Sequence, residues 1–380
     1  MTTFLLYDDA LRSPELRHEI SEPVMDPMVF IEHDDRRVLI GSVLEAPIFD
    51  DRPEIVDEFW LQDSLGSEDL IKDASFPVDL VDLEVARRAL ERLGARTVVV
   101  PPTFRVKAAD YLRERGVEVV VDAEAWMLRR RRKSPAELEG IERAQRATET
   151  AMLAAQRMLR EAEPTSDGRL RFEGEILTAE WIRQVMQQEL GTQGAECEDI
   201  IVHSGDACLN GHDIGSGPIL PDQTVIIDCF PKDRRSGAYT DMTRTFVPGE
   251  PSEEIKRIHA DCCRALEIAY EHLEPGRDDA HRAVVDFFHE RGYPTREHHE
   301  GDEPLGVGFF HSLGHGVGLE VHERPWVGRR PDALADGDVV AIEPGLYFPG
   351  VGGVRLEDTV VVTDDGPHRF TDPFPYDLEV

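Results

Sequence analysis

TVIIDCFPKDRRSGAYTDMTRTF, residues 224–246, decides how this chain is read. It opens as an apolar strand that runs straight into Asp228, turns through polar and glycine residues, and resumes as an alternating strand. In that second strand Asp241, Thr243 and Thr245 share one face, because strand side chains alternate. A carboxylate at the end of a buried strand is costly unless it is paired, protonated or metal-bound. Two of them, one on each strand, call for partners elsewhere in the chain.

Three other stretches offer partners. FFHSLGHGVGLEVHERP, residues 309–325, carries His311, His315 and His322 on a glycine-studded segment too irregular for a helix and too polar for a core. VVAIEPGLYFPG, residues 339–350, places Glu343 after four apolar residues and before a Pro-Gly turn. In GGVRLEDTVVV, residues 352–362, Arg355 and Glu357 are two apart and so share a strand face. Singly, each has a structural explanation: a turn cap for Asp228, an exposed edge for Asp241, a salt bridge for Glu343, an arginine partner for Glu357, a single hydrogen bond for a loop histidine. Together they make the ligand set of a carboxylate-rich dinuclear site, in which two divalent cations sit about 3.5 to 4 Å apart and lower the pKa of a shared water.

The rest of the chain sets the frame. A length of 380 residues suggests two domains. Acidic residues (76) outnumber basic ones (42), and the net charge of -34 disfavours nucleic acid or an anionic membrane as partner. Arginine supplies 37 of the basic residues and lysine 5, which with the acidic excess suggests adaptation to high salt, where surface charge is screened. The start, MTTFLLYDDALRSPE, lacks the basic region and long apolar run of a signal peptide, and no stretch is long and apolar enough to span a membrane. Five cysteines without CxxC spacing fit reduced thiols, so a cytoplasmic protein is expected.

Residues 1–130 alternate strand and helix patterns. MVFIE and RRVLIGS flank a polar HDDR turn, and LEVARRALERLG, RTVVV, FRVKAADYLRERG and VEVVV follow, which predicts an α/β domain with a partly parallel sheet. No GxGxxG or GxxxxGKS accompanies it, so a structural or substrate-covering role is expected. Residues 131–380 form the second domain. In KSPAELEGIERA, Ser134, Pro135 and Glu137 predict a capping box that starts a long helix, and the basic run 129–133 before it reads as a solvated linker. A helix over LTAEWIRQVMQQELG comes next, then short strands with one helical return near 251–276. His298 and His299 in REHHEGDEP lack a chelating spacing.

The four stretches, in this order, resemble the pita-bread metallopeptidases, a family that includes methionine aminopeptidase, Xaa-Pro aminopeptidase, prolidase and the metal-free creatinases. The resemblance covers nearly the whole chain. It implies a creatinase-like α/β N-terminal domain and an α+β pita-bread catalytic domain. It also implies that Asp228, Asp241, His315, Glu343 and Glu357 hold two divalent metal ions, with Asp241 and Glu357 bridging both. Gly314 and Gly316 then flank the ligand histidine where backbone must approach closely. His311 and His322 fall at the family's substrate-pocket positions, and His212, in GDACLNGHDIGSG, at that of an upstream histidine. Arg355 matches the arginine that orients the bridging carboxylates. His203 is read as structural and Cys229 as packing.

The chemistry so implied is amide hydrolysis, with His212 or His322 stabilising the oxyanion and Glu343 moving the proton. The substrate is a short peptide with proline second, and two copies of the chain are expected to pair as a homodimer. Four carboxylates and one imidazole favour Mn²⁺ or Co²⁺, with Fe²⁺ or Zn²⁺ as further options. The thirteen-residue step from Asp228 to Asp241 is two longer than in much of the family, so Asp241 depends on its strand register. Methionine aminopeptidase, a creatinase-like amidinohydrolase and a metal-free binding protein remain as alternatives, and no residue separates prolidase from Xaa-Pro aminopeptidase.

Overall fold

The computed structural model describes residues 2–50, 52–211, 213–300, 302–372 and 374–380. The chain divides into two compact units, Met1–Arg130 and Arg131–Val380.

In the first unit, strands β1 (Thr3–Asp8), β2 (Met28–His33), β3 (Arg36–Gly41), β4 (Glu58–Leu61), β5 (Thr97–Val100) and β6 (Glu118–Val121) form one sheet in the order β4-β3-β2-β1-β5-β6. The β1-β2 and β2-β3 pairs are antiparallel, and the other three are parallel. Asp34 and Asp35 join β2 to β3 with both φ angles positive (53° and 62°), the backbone of a tight hairpin turn whose twist matches the strands. Helices α1 (Val81–Leu93) and α2 (Val106–Glu114) bury Val85, Leu90 and Leu112 with Val98 and Val100 of β5. The expected partly parallel α/β sheet is therefore present.

The second unit is built from two helix-on-sheet halves. In the first, α3 (Pro135–Glu161) and α4 (Ala179–Thr192) pack on an antiparallel sheet of β7 (Ile200–Ser204), β8 (Val225–Cys229) and β9 (Met242–Phe246). Ser134 and Glu137 cap α3 reciprocally, and Thr178 caps α4. In the second, α5 (Glu253–Tyr270) and α6 (Ala280–Glu290) pack on a larger sheet. Its strands are β10 (Gly314–Gly316), β11 (Glu323–Val327), β12 (Val339–Ile342), β15 (Asp358–Thr363) and β16 (Gly366–Arg369), in the order β11-β10-β12-β15-β16. A separate hairpin joins β13 (Gly345–Phe348) to β14 (Gly352–Arg355). Among the described residues no helix is long and apolar enough to cross a membrane.

Three local expectations need correcting. The C-terminal unit has two helical returns where one was expected. The second, α6, follows Asp279, an N-cap residue that makes no side-chain cap bond, and buries the stripe Ala280, Val284, Val285 and Phe288. Strand β9 is buried on both faces, so alternation there marks no solvent side, and Asp241 lies one residue before the strand begins. The basic run is no solvated linker. Arg129 pairs with Glu19 and Glu32 within the first unit, while Arg131 pairs with Asp338 and a buried Lys133 with Glu323 within the second.

Candidate metal centre

The edges of the two halves of the second unit bring the carboxylates together. Asp228 is the fourth residue of β8, opposite Ile201 on β7 and Thr243 on β9. Its strand neighbours Ile227 and Cys229 point the other way, into the core under α3 and α4, which leaves Asp228 and Ile226 on the site face. The long connection after Asp228 does not disturb register: Cys229 faces Met242 and Asp228 faces Thr243. Asp241, just before Met242, is held by Thr359, whose hydroxyl accepts from the Asp241 N–H and donates to the Asp241 carbonyl, each at 2.9 Å.

His315 is the middle residue of β10, between Trp326 of β11 and Ala341 of β12. Gly314 and Gly316 make that crowding possible. A Cβ on Gly314 would run into the Ala341 carbonyl, and one on Gly316 would lie 2.5 Å from that of Arg324. His315 Nδ1–H donates to the Gly316 carbonyl at 3.1 Å, which leaves Nε2 as the free lone pair, 3.8 Å from Asp241 and 3.9 Å from Glu357. Ligand atoms of Asp241, His315 and Glu357 all lie within 4.8 Å of one another. Glu357 sits in the break between β14 and β15. Its N–H donates to the Thr243 carbonyl at 3.0 Å, and its carboxylate accepts from the Thr243 hydroxyl at 2.7 Å. Arg355 ends β14 and Glu357 lies in the break after it, so the two do not share one continuous strand. Glu343 follows β12 with its N–H on the Leu313 carbonyl, and its carboxylate stands 3.9 Å from His311 Nδ1.

Arg355 is buried, donates to Asp228 and, at 3.1 Å, to the Tyr347 hydroxyl, and touches Thr243. Tyr347 in turn donates to His311 Nε2 at 3.1 Å, while His311 Nδ1–H donates to the Ser312 carbonyl at 2.7 Å. Both nitrogens of His311 are therefore engaged within the protein. His322 is exposed, with its ring 4.2 Å from that of His315. His212 lies outside the described residues. His203 is buried on β7 with Nε2 on the Asp213 carbonyl, as a structural histidine would be. Asp228, Asp241, His311, His315, His322, Glu343, Tyr347, Arg355 and Glu357 border a cavity of about 520 Å³ whose apolar wall includes Ile201, Leu209, Phe230, Phe310 and Val321.

The electrostatics of the cluster are those of too many carboxylates for the positive charge present. Burial, then Glu357, Asp228 and Glu343, push the Asp241 carboxyl well above the usual carboxylate range. Burial, then Glu343 and Asp228, do the same to Glu357. Glu343 is pushed up to about 7 by burial, with Arg355 opposing and Asp228 adding to the rise. Burial disfavours the Arg355 charge, yet Tyr347, Asp228, Glu343 and Glu357 outweigh it and hold the guanidinium well above its ordinary value. Burial lowers His311 and His315 to about 4, helped by Arg355 and His322 respectively, so both rings are neutral at pH 7. Among the described residues, Asp228 Oδ1 and Asp241 Oδ1 are buried with no hydrogen-bond partner. Orphaned carboxylate oxygens beside an imidazole lone pair are the donor set a hard divalent cation requires, so these residues fit a metal.

Comparison with known proteins agrees with this geometry. The chain belongs to metallopeptidase family M24, whose family model matches residues 139–364. It is 34% identical over 190 residues to the uncharacterized peptidase YqhT of Bacillus subtilis, covering 47% of this chain and 49% of that one. It is 33% identical over 248 residues to the Xaa-Pro dipeptidase of Pyrococcus furiosus, covering 63% of this chain and 62% of that one. The chain thus spans about half to three fifths of the length of these relatives. Its fold matches that of the Xaa-Pro dipeptidase from Bacillus anthracis, with a TM-score of 0.77 at 21% identity over 100% of this chain and 95% of that one. For the X-Pro aminopeptidase from Thermotoga maritima the TM-score is 0.76 at 22% identity, over 100% of this chain and 98% of the other. The two-domain pita-bread architecture is therefore that of this chain.

Tyr347, Thr243 and Thr359 are the site residues the sequence reading missed. Tyr347 carries a local signal, since it lies four residues after Glu343 on the short strand following the Pro-Gly turn. The two threonines act through partners more than a hundred residues away, which no local pattern announces.

Proposed function

We propose that this chain hydrolyses the bond before proline in short peptides, either in Xaa-Pro dipeptides or at the free N-terminus of longer ones. The observation that carries the reading is the convergence of Asp228, Asp241, His315, Glu343 and Glu357 on one cavity, with two buried carboxylate oxygens unpartnered among the described residues. Membership of family M24 and relatives that include an Xaa-Pro dipeptidase support it. Asp228, Asp241 and Glu357 with His315 and Glu343 would hold two divalent cations, Mn²⁺ or Co²⁺ before Fe²⁺ or Zn²⁺ on ligand hardness. When bound, such cations polarise the scissile carbonyl and acidify water.

The chain's own groups do the rest. Glu343 borders the cavity beside His311, which places its carboxylate to take a proton from water and deliver it to the leaving nitrogen. His322, exposed beside His315, is placed to donate to the oxyanion, a role His212 would share. His311 serves as a fixed wall of the substrate pocket, because its nitrogens are already committed. Arg355 holds Asp228 in its ligand rotamer. A leaving nitrogen in a proline ring carries no N–H, so recognition falls to shape, and Ile201, Leu209, Phe230, Phe310 and Val321 offer an apolar wall for the ring. The protein is proposed to work in the cytoplasm as a homodimer, with residues 1–130 as the creatinase-like domain and 131–380 as the catalytic domain.

A peptide panel of Ala-Pro, Ala-Pro-Ala and Met-Ala, run on chelated and Mn²⁺-reloaded protein, tests this. Cleavage of a proline substrate only in the reloaded sample is expected. Rapid cleavage of Met-Ala with neither proline peptide touched would replace the reading with a methionine aminopeptidase.

A further inference from the structure

The proposed chemistry leaves the basic run at 129–133 unused, and its last member occupies a buried position. Lys133 directly precedes Ser134, whose capping box fixes where α3 begins. Its side chain is 1% exposed and pairs with the Glu323 carboxylate, itself 7% exposed. Glu323 opens β11 opposite Gly316, one residue after His322, and its second oxygen accepts from the Glu320 N–H at 3.3 Å. The connection 317–322 is thus tied at both ends. Val317 N–H donates to Val339 at 3.0 Å, the Gly318 carbonyl accepts from Tyr239 N–H at 2.7 Å, and the Lys133–Glu323 pair closes the far side. Gly318 lies against that pair, since a Cβ there would stand 2.6 Å from Glu323 Oε1 and 2.8 Å from Lys133 Cε.

A buried ion pair rarely adds net stability over an apolar pair of similar volume, so its presence calls for another explanation. The connection it braces presents Val321 and His322 to the cavity and sets His322 beside His315. We propose that Lys133 and Glu323 are a positioning pair, fixing the loop 317–322 so that His322 faces the peptide, without touching metal or substrate. This rests on the hydrolytic reading above.

The test compares wild type with Lys133→Met, Glu323→Gln and the double variant K133M/E323Q. Each single variant is expected to bind Mn²⁺ as wild type does. Turnover of the cleaved proline peptide should fall by about 100-fold with KM little changed, the cost of a misplacement far from the chemistry. Amide exchange should accelerate in 317–322 and stay as in wild type in β8 and β12. The double variant, neutral on both sides, should recover much of the lost turnover. Unchanged turnover and loop exchange in both single variants would overturn the proposal, and so would exchange that rises equally in every strand. If Lys133→Met does not fold, Glu323→Gln and the double variant carry the same comparison. If wild type cleaves no proline peptide, the hydrolytic reading falls, and the exchange data alone decide whether the pair anchors the loop.

Discussion

Glu357 and Asp358 are chain neighbours, both buried, with opposite surroundings. Asp358 is met by Arg244 at 2.8 Å, Arg369 at 3.0 Å and the hydroxyls of Tyr270 and Tyr376. Burial alone would raise its carboxyl, but the two guanidiniums override it and hold the group at about 2. Glu357 faces Asp228, Asp241 and Glu343, with one threonine hydroxyl as its side-chain donor, and is pushed the other way. The contrast separates two uses of a buried carboxylate. One whose charge is matched by protein cations is structural, and one crowded by its own kind awaits a cation from outside.

Substitutions at the two positions should therefore fail in different ways. Glu357→Gln is expected to lower turnover by more than about 100-fold, since even residues that only orient metal ligands cost 10- to 100-fold when lost. The metal-free protein should meanwhile melt at the same temperature or higher, because glutamine removes the cost of keeping a buried carboxyl protonated at neutral pH. Asp358→Ala should do the reverse to stability, costing about 3 to 5 kcal/mol, because it strands the buried Arg244. Thermal melts of both metal-free variants beside wild type check this, and equal destabilisation would erase the distinction.

The pH dependence of stability sharpens the same comparison. Glu343 at about 7 and Asp241 and Glu357 well above the ordinary range keep protons in the native state that the unfolded chain, with carboxylates near pKa ~4, has released. The metal-free protein should therefore lose stability as pH rises from about 7 to 8. The histidines with lowered pKa oppose this slope only where the unfolded chain still protonates them, near and below about 6.5, and Asp358 is fully ionised in both states. Bound cations keep the ligands ionised and should flatten the slope. Melting curves that are flat with pH in the metal-free protein would count against the crowded cluster.

The smallest expected effect concerns the surface. With a net charge of -34, self-repulsion should be relieved as the Debye length shortens from about 10 Å at 0.1 M salt to about 3 Å at 1 M, raising the melting temperature. A flat or falling melting temperature over that range would reject adaptation to brine.

Asp228 and Glu343 were legible in the sequence because a carboxylate after an apolar run breaks the rule for strand interiors, whereas His315 was told from His311 and His322 only by the family resemblance. The helix start at Ser134 was legible from capping chemistry. Other features depend on contacts the sequence does not display. Tyr347 takes His311 Nε2, Thr359 clamps Asp241 from another strand, and Lys133 finds Glu323 at a separation of 190 residues. Read locally, Lys133 was one charge in a basic run. Asp358 looks no different in sequence from Glu357, and only the arrival of Arg244 and Arg369 tells them apart.

The central claim is that the crowded carboxylates are a cradle for two cations. Calorimetric titration of demetallated protein with Mn²⁺ at pH 6.5, in two buffers of different ionisation enthalpy, tests it most directly. The account predicts two bound equivalents with protons released on binding, because Glu343, Asp241 and Glu357 must give theirs up. It also predicts that Asp241→Asn weakens both equivalents. No saturable binding, or binding untouched by Asp241→Asn and without proton release, would contradict it.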